Sequence, residues 1–279
     1  MENAEDFFQG LEQLNIIGAA LSKERDTNRL LENILIAAKK ITRADGGTLY
    51  RVTEDRSALR FEIVRTASLA LAMGGTAGQV IDFPDIPVRN AAGEPNRSMV
   101  AAYAALHEET VNIADAYQTV GIAADFDFSG TREFDKRTGY RSQSFLTVPM
   151  KNHEGEIIGV LQLINALDPL TQQVTVFSAA DQRLAESLAS QAAIALTNRQ
   201  LIGQLEKLFE SFISLINLAI DEKSPYTGGH CQRVPALAKM LVRAACAAES
   251  GPYRDFNLSE EQWEAVHIAS WLHDCGKVT

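Results

Sequence analysis

The sequence predicts an α+β domain, an antiparallel sheet flanked by helices, followed by a long connecting helix and an all-helical segment. Three observations predict it. Stretches of helical and of alternating period follow one another as helix, strands, crossover, hairpin, helix. Gln143 to Met150 and Glu156 to Asn165 read as two strands joined by the turn Asn152-His153-Glu154-Gly155. From Ser178 a helical pattern runs to about Glu222, where Pro225 and Gly228-Gly229 stop it.

In chain order, Phe8 to Ala20 is an amphipathic helix, with Leu11, Leu14, Ile17 and Leu21 at helical spacing. Asp26-Thr27 caps a second helix to about Thr42, whose apolar stripe is Leu30, Leu31, Ile34, Leu35, Ala38 and Ile41. Ala44-Asp45-Gly46-Gly47 reads as a turn, and Thr48 to Val52 as the first strand. Glu54 to Ser57 turns into a second strand, Ala58 to Ala67, in which Leu59, Phe61 and Ile63 alternate. Ser68 to Gly93 is rich in Gly, Pro and Asp and is expected to be irregular, with short strand pieces at Val80 to Phe83 and Ile86 to Val88. Ser98 to His107 is a short helix, Thr110 to Ile113 a short strand, and Asp115 to Tyr140 a loop. The long helix from Ser178 has one expected break, near Gly203.

Composition narrows the function. The chain has 279 residues, 46% of them hydrophobic, and a net charge of −10, which speaks against a nucleic-acid-binding surface or a basic membrane-binding face. No apolar run reaches the roughly 18 residues of a membrane span. The acidic start, Met1 to Asp6, lacks the basic opening of a signal peptide. Cys231, Cys246 and Cys275 have no CxxC spacing and read as reduced thiols, so the expected location is cytoplasmic.

The block Phe134 to Met150, together with Gly159-Val160-Leu161-Gln162-Leu163-Ile164-Asn165, resembles a GAF domain of the cyclic-nucleotide-phosphodiesterase type; the resemblance covers roughly Leu11 to Asn198. Of that group's scattered Asn-Lys-Phe-Asp-Glu signature, Asn165, Phe177 and Asp181 match. Ala166 stands at the Lys position and Gln182 at the Glu position, so the family's internal Lys–Asp ion pair is not expected. The resemblance implies a pocket on one sheet face, covered by the crossover segments, that takes a small molecule such as a cyclic nucleotide. A concave site of this kind needs a few convergent polar groups. Arg97, Ser98, Asn112, Asp115, Phe126 and Thr138 are the candidates for hydrogen bonds and a stacking face. Residues 1–198 contain no Cys, which removes a cysteine-linked bilin.

Leu201, Leu205, Leu208, Phe212, Leu215 and Ala219 recur at alternating spacings of four and three, a heptad a/d seam. A seam this short either packs on the domain core or forms a parallel two-stranded helix that joins a homodimer and transmits a small rotation or register shift from sensor to output.

The chain's last residues carry a different chemistry. His273-Asp274 places an imidazole and a carboxylate together after the apolar, helix-forming Ala265 to Leu272, which suggests a buried helix. Both can bind one divalent metal, and Lys277, one turn on, can meet a phosphate. Metal, carboxylate and lysine suit phosphoester hydrolysis. Upstream, Lys223-Ser224-Pro225-Tyr226-Thr227-Gly228-Gly229-His230-Cys231-Gln232-Arg233-Val234 with His273-Asp274-Cys275-Gly276-Lys277 resembles the start of an HD-GYP domain, a metal-dependent phosphohydrolase acting on cyclic di-GMP. The resemblance implies His230, His273 and Asp274 as metal ligands, Asp274 and Lys277 as catalytic groups, and a pair of Fe or Mn ions. Tyr226 stands where some members carry a Glu for a third metal. The family's remaining His and Asp ligands and its Gly-Tyr-Pro loop are expected beyond Thr279.

The resulting division is a GAF sensor over 8–198, a connecting helix over 199–222 and an incomplete HD domain over 223–279. Two functions follow: a sensor controlling a phosphodiesterase of cyclic dinucleotides, or a non-catalytic, dimeric ligand-binding module. Three candidate ligands fall short of the shell that a catalytic two-metal site needs. Residues 1–279 should therefore turn over cyclic di-GMP negligibly with Mn or Fe; metal-dependent hydrolysis that disappears in His273→Ala would overturn this.

Overall fold

The computed structural model describes residues 2–77, 79–118, 126–223 and 230–274. By internal packing the chain divides into residues 1–200 and 201–279.

In the first unit, α1 (Glu2–Leu21) is followed by α2 (Thr27–Thr42). Asp26 caps α2 by accepting a hydrogen bond from the Arg29 N–H at 2.9 Å. The stripe predicted from the sequence, Leu30, Leu31, Ile34, Leu35, Ala38 and Ile41, is buried. Arg43 ends the helix in the left-handed region, at φ 54°.

The strands are β1 (Ala44–Val52), β2 (Ala58–Thr66), β3 (Leu71–Gly74), β4 (Ile86–Pro87), β5 (Val111–Ile113), β6 (Phe145–Lys151), β7 (Ile157–Leu167) and β8 (Val174–Thr175). They form one sheet in the order β3-β2-β1-β7-β6-β5, with β4 beside β2 and β8 beside β7, and every pairing is antiparallel. Between the strands lie α3 (Val100–His107) and α4 (Ser129–Thr138).

Side chains alternate between the two faces of a strand. Leu49, Ile63, Leu146, Val148, Leu161 and Leu163 point to one face and share a core with α1, α2 and the first part of α5 (Ala179–Lys223). The opposite face packs on α3 through Tyr50, Leu59 and Val160 and through Val111, Ile113 and Phe145. The helices of the first layer come close to their neighbours. A Cβ on Gly10 of α1 would lie 2.8 Å from Leu184 Cδ1 of α5.

Several elements depart from the sequence reading. Ala44 to Gly47 is strand rather than turn, pairing with Thr66 and Arg65 on one side and Ile164 and Leu163 on the other. A Cβ on Gly47 would meet Leu35 Cδ1 at 2.8 Å, so the glycine serves close helix packing. The expected loop over 115–140 contains α4. β3 and β8 were not expected, whereas Val80 to Phe83 has no regular structure. α5 runs through Gly203 without a break, because that glycine's missing Cβ faces open space and costs the helix only its intrinsic propensity.

The second unit holds the remainder of α5, α6 (His230–Cys246) and α7 (Glu260–Leu272). Ser259 opens α7 with a reciprocal capping box: Gln262 N–H donates to Ser259 Oγ at 3.3 Å and Ser259 N–H to Gln262 Oε1 at 2.9 Å. α7 is half-buried rather than buried along its described length. Among the described residues no helix is long and apolar enough to cross a membrane.

One ion pair ties α2 to the sheet edge. Arg65 Nη2 donates to Glu32 Oε1 at 2.7 Å and to Gly74 O at 3.1 Å, and Nη1 donates to Val64 O at 2.9 Å and to Met73 O at 2.5 Å. Glu32 also accepts from the Thr76 hydroxyl and N–H. Arg65, and then Thr76, hold the Glu32 carboxyl below its ordinary 4.5. A depressed folded value means stabilisation present above the unfolded value and lost as pH falls through the folded one. Glu32→Gln should cost about 1–2 kcal/mol at pH 7. The gap in melting temperature from the parent should narrow below about pH 4.5; a pH-independent gap would contradict the assignment.

Candidate functional site

The α3 side of the sheet carries an unexpected polar row. Thr48 on β1 lies directly opposite Gln162 on β7, which lies opposite Thr147 on β6. All three are buried, in the middle of a sheet whose other face is aliphatic. Buried polar groups require partners. The Tyr50 hydroxyl donates to Gln162 Oε1 at 3.1 Å, and Gln162 Nε2 donates to Thr147 Oγ1 at 3.3 Å. Burial pushes the Tyr50 phenol well above its ordinary value, so it stays protonated and a donor.

Beside this row, Gly46 lets neighbouring side chains approach the sheet face closely. A Cβ there would lie 3.3 Å from Thr66 Oγ1, 3.4 Å from the Tyr140 hydroxyl and 3.6 Å from Ile164 Cβ. The Tyr140 hydroxyl donates to Asp45 Oδ2 at 2.7 Å, and the Ser68 hydroxyl and N–H donate to Asp45 at 2.6 and 3.0 Å. Burial, then the Asp45 carboxylate, raise the Tyr140 pKa.

The segment returning from α4 to β6 is held by two side chains. Asp135, buried, accepts from the Tyr117 hydroxyl at 2.6 Å and from Ser142 N–H and Oγ at 2.7 and 2.8 Å. The Arg141 guanidinium lies 4.4 Å from the Tyr117 ring centre, a cation–π contact. Asn165 adopts φ 58°, a left-handed conformation that Asn tolerates better than most residues. Its Oδ1 accepts from Gln143 and Ser144 N–H at 2.8 and 3.3 Å, and its Nδ2 donates to Arg141 O at 2.8 Å.

The six pocket candidates named from the sequence do not converge. Arg97 and Ser98 line one shallow surface cleft with Asn90, Glu94, Asn96 and Asp127. Asn112 points to the helix side, where its Nδ2 donates to Phe177 O and Gln182 Oε1, both at 3.2 Å. Asp115 accepts from Tyr117 N–H at 2.8 Å and so shapes a turn. Phe126 is buried among Tyr103 and Phe128. The Thr138 side chain lies outside the described residues. Thr48, Thr66, Thr147 and Gln162 were missed although they are polar side chains at inward positions of otherwise apolar strands; Tyr140, outside the strands, gave no such signal.

Of the family signature, Asp181 caps α5: Ser178 N–H and Oγ donate to its Oδ2 at 2.9 and 2.7 Å, and its own N–H donates to Ser178 Oγ at 3.1 Å. It also pairs with Arg43 at 3.3 Å. The cation missing at Ala166 is thus supplied from the end of α2, although Arg43's 47% exposure limits what the pair contributes.

A second cluster lies in the second unit. His230 Nε2 and His273 Nε2 are 3.2 Å apart, and Asp274 Oδ2 is 3.6 and 3.4 Å from them. Ligand atoms about 2.0–2.2 Å from one cation stand about 2.8–3.6 Å from each other, a range that includes these edges. His273 Nδ1 is 2.7 Å from the Ser270 carbonyl, which can only accept, so Nδ1 carries the proton and Nε2 offers its lone pair. The donor set fits a divalent cation. Lys277 lies outside the described residues.

An antiparallel sheet with a helical layer on one face and crossover segments on the other defines a sensor-type α+β domain. The chain belongs to the GAF domain family, whose profile matches residues 26–196. It is 36% identical over 122 residues to a dual 3′,5′-cyclic-AMP and -GMP phosphodiesterase 11A of Takifugu rubripes, covering 44% of this chain and 12% of that protein. It is 26% identical over 204 residues to a cGMP-specific 3′,5′-cyclic phosphodiesterase of Drosophila sechellia, covering 71% of this chain and 15% of that protein. The chain thus spans only a small part of the relatives it matches. Among solved structures, the GAF domain of a phosphoenolpyruvate-protein phosphotransferase from Coxiella burnetii has the same fold, with a TM-score of 0.50, 16% identity, and coverage of 71% of this chain and 98% of that one. The match to the family does not extend over 199–279.

Asn165→Ala removes three hydrogen bonds of about 1 kcal/mol each and leaves a left-handed residue without its local support. It should destabilise the first unit by about 3 kcal/mol and lower its melting temperature by roughly 6–12 °C. A change under about 2 °C would show that the 141–144 segment is fixed by other contacts.

Proposed function

We propose that this chain is a signalling module in which the GAF domain takes up a cyclic purine nucleotide and, through α5, regulates a metal-dependent phosphohydrolase segment of HD-GYP type whose substrate is cyclic di-GMP. The observation that carries the sensor half is the family match together with relatives named as cyclic-nucleotide phosphodiesterases. The buried row of Thr48, Gln162 and Thr147 supports it, since a sheet face that serves packing alone has no use for polar side chains. Thr48, Thr66 and Gln162 then form the polar floor beneath the ligand, with Arg97 and Ser98 nearer the surface and Asn112, Asp115, Phe126 and Thr138 shaping the surrounding segments. In the output half, His230, His273 and Asp274 hold an Fe or Mn ion of the pair, and Asp274 and Lys277 serve catalysis. A bound metal supplies an activated water and charge stabilisation for phosphoester cleavage. The module acts as a cytoplasmic homodimer joined through the Leu201 to Ala219 seam. The second reading is a non-catalytic dimeric ligand-binding module, since the three metal donors among the described residues fall short of the shell that a catalytic two-metal site needs.

Thermal unfolding tests both halves. A ligand at a hundredfold excess over its dissociation constant stabilises the folded state by about 2.7 kcal/mol, a shift of several degrees. Cyclic AMP or cyclic GMP at millimolar concentration should raise the melting temperature, and Mn²⁺ should raise it in the parent but not in His273→Ala. No shift with either nucleotide would remove the cyclic-nucleotide sensor, and an equal Mn²⁺ response in both proteins would remove the metal site.

A further inference from the structure

We propose that the groove between α5 and α7 in the second unit seats the α5 helix of a second copy of this chain. The homodimer interface would then be a helical bundle with α7 in it, rather than a two-stranded coiled coil. The inference rests on the homodimer reading above and adds where the partner lies.

The first observation is the width of the apolar stripe. Leu201, Leu205, Leu208, Phe212 and Leu215 occupy a and d positions and are 50–67% exposed. The e positions are apolar as well: Ile202 is 49% and Phe209 46% exposed. A two-stranded seam keeps e for charged residues, whereas an a/d/e stripe is the pattern of a helix covered on more than one side. With full side-chain areas on the order of 150–200 Å², these seven residues present roughly 700 Å² of apolar surface. That exceeds the roughly 300–600 Å² of a monomer's largest patch. It approaches the roughly 800 Å² that each partner gives to a stable interface.

The second observation is the groove itself. It has a volume of about 1120 Å³ and is walled by Leu205, Phe209 and Ile213 of α5 and Ile268 and Trp271 of α7. Its lining includes two polar groups, His267 and Trp271, whose Nδ1 and Nε1 atoms are buried without a hydrogen-bond partner among the described residues. The apolar a/d/e stripe of a second α5 suits the apolar walls of this groove.

The protein of residues 1–279 is tested by light scattering over a concentration series. Leu208→Glu and Ile268→Glu should each raise the dimer dissociation constant at least tenfold. Ile268 lies on α7, outside any coiled-coil seam, so a dimer lost in Leu208→Glu but unchanged in Ile268→Glu would overturn the groove and leave the homodimer. A monomeric parent would overturn both. Trp263→Phe leaves Trp271 as the sole indole, which guards against a variant that merely misfolds. Its emission should shift to the blue as concentration rises through the dissociation constant, and a dimer with unshifted emission would overturn the proposal.

Discussion

The contact between α2 and the backbone of β1 at Gly47 is the constraint on which the first unit depends. A side chain there would drive Leu35 away at 2.8 Å and press on Gln162 O at 3.2 Å and Leu163 Cδ2 at 3.3 Å. Without one, α2 settles onto the middle of the sheet, where β1 lies between β2 and β7. That seats Leu30, Leu31, Ile34 and Leu35 in the aliphatic core and fixes the helical layer. Because side chains alternate, the same register turns Thr48 and Gln162 to the opposite face. The close helix contact on one side and the polar row on the other thus follow from one pairing.

This constraint also explains where the sequence misleads. Gly46-Gly47 after Ala44-Asp45 has the composition of a turn. A glycine that permits close approach and one that permits a bend look alike in sequence, and only the partner strands distinguish them. The longer elements were legible: the stripe of α2, the β6–β7 hairpin and the helical period of α5 each repeat over many residues. β3 and β8 are four and two residues long and exist through pairing with β2 and β7, a non-local cause that no local period records. α4 escaped because its sequence, Ser129 to Thr138, is strongly polar, and Asp135, the buried side chain that anchors it, looks in sequence like any solvated acid.

The site was legible in part, for the same reason. Asn165 and Asp181 were recognisable by spacing, and the structure shows why those residue types serve there. One tolerates the left-handed turn while its amide bridges three backbone groups; the other caps α5 and meets Arg43. The pocket candidates follow from the family resemblance, which implies a site on one sheet face covered by the crossover segments. Asn112 belongs to an edge strand whose alternation turns it toward α5, and Phe126 belongs to an aromatic core. The polar residues with the stronger physical claim sit on the strands, where their burial is the unusual fact.

The His230, His273 and Asp274 cluster shows what adjacency in sequence can and cannot establish. His273 and Asp274 are neighbours in the chain, but neighbours share a ligand sphere only if the backbone lets both point one way. The end of α7 does this, because His273 leaves the helix still in right-handed conformation at φ −56°, ψ −28°. The Ser270 carbonyl then accepts a hydrogen bond from Nδ1–H, which turns Nε2 toward His230. Two imidazole lone pairs 3.2 Å apart repel unless a proton or a cation lies between them. A proton serves one pair of atoms, whereas a cation serves all three edges at once. In the proposed metal-site reading, the Asp274 oxygen, within 3.6 Å of both rings, supplies negative charge for such a cation.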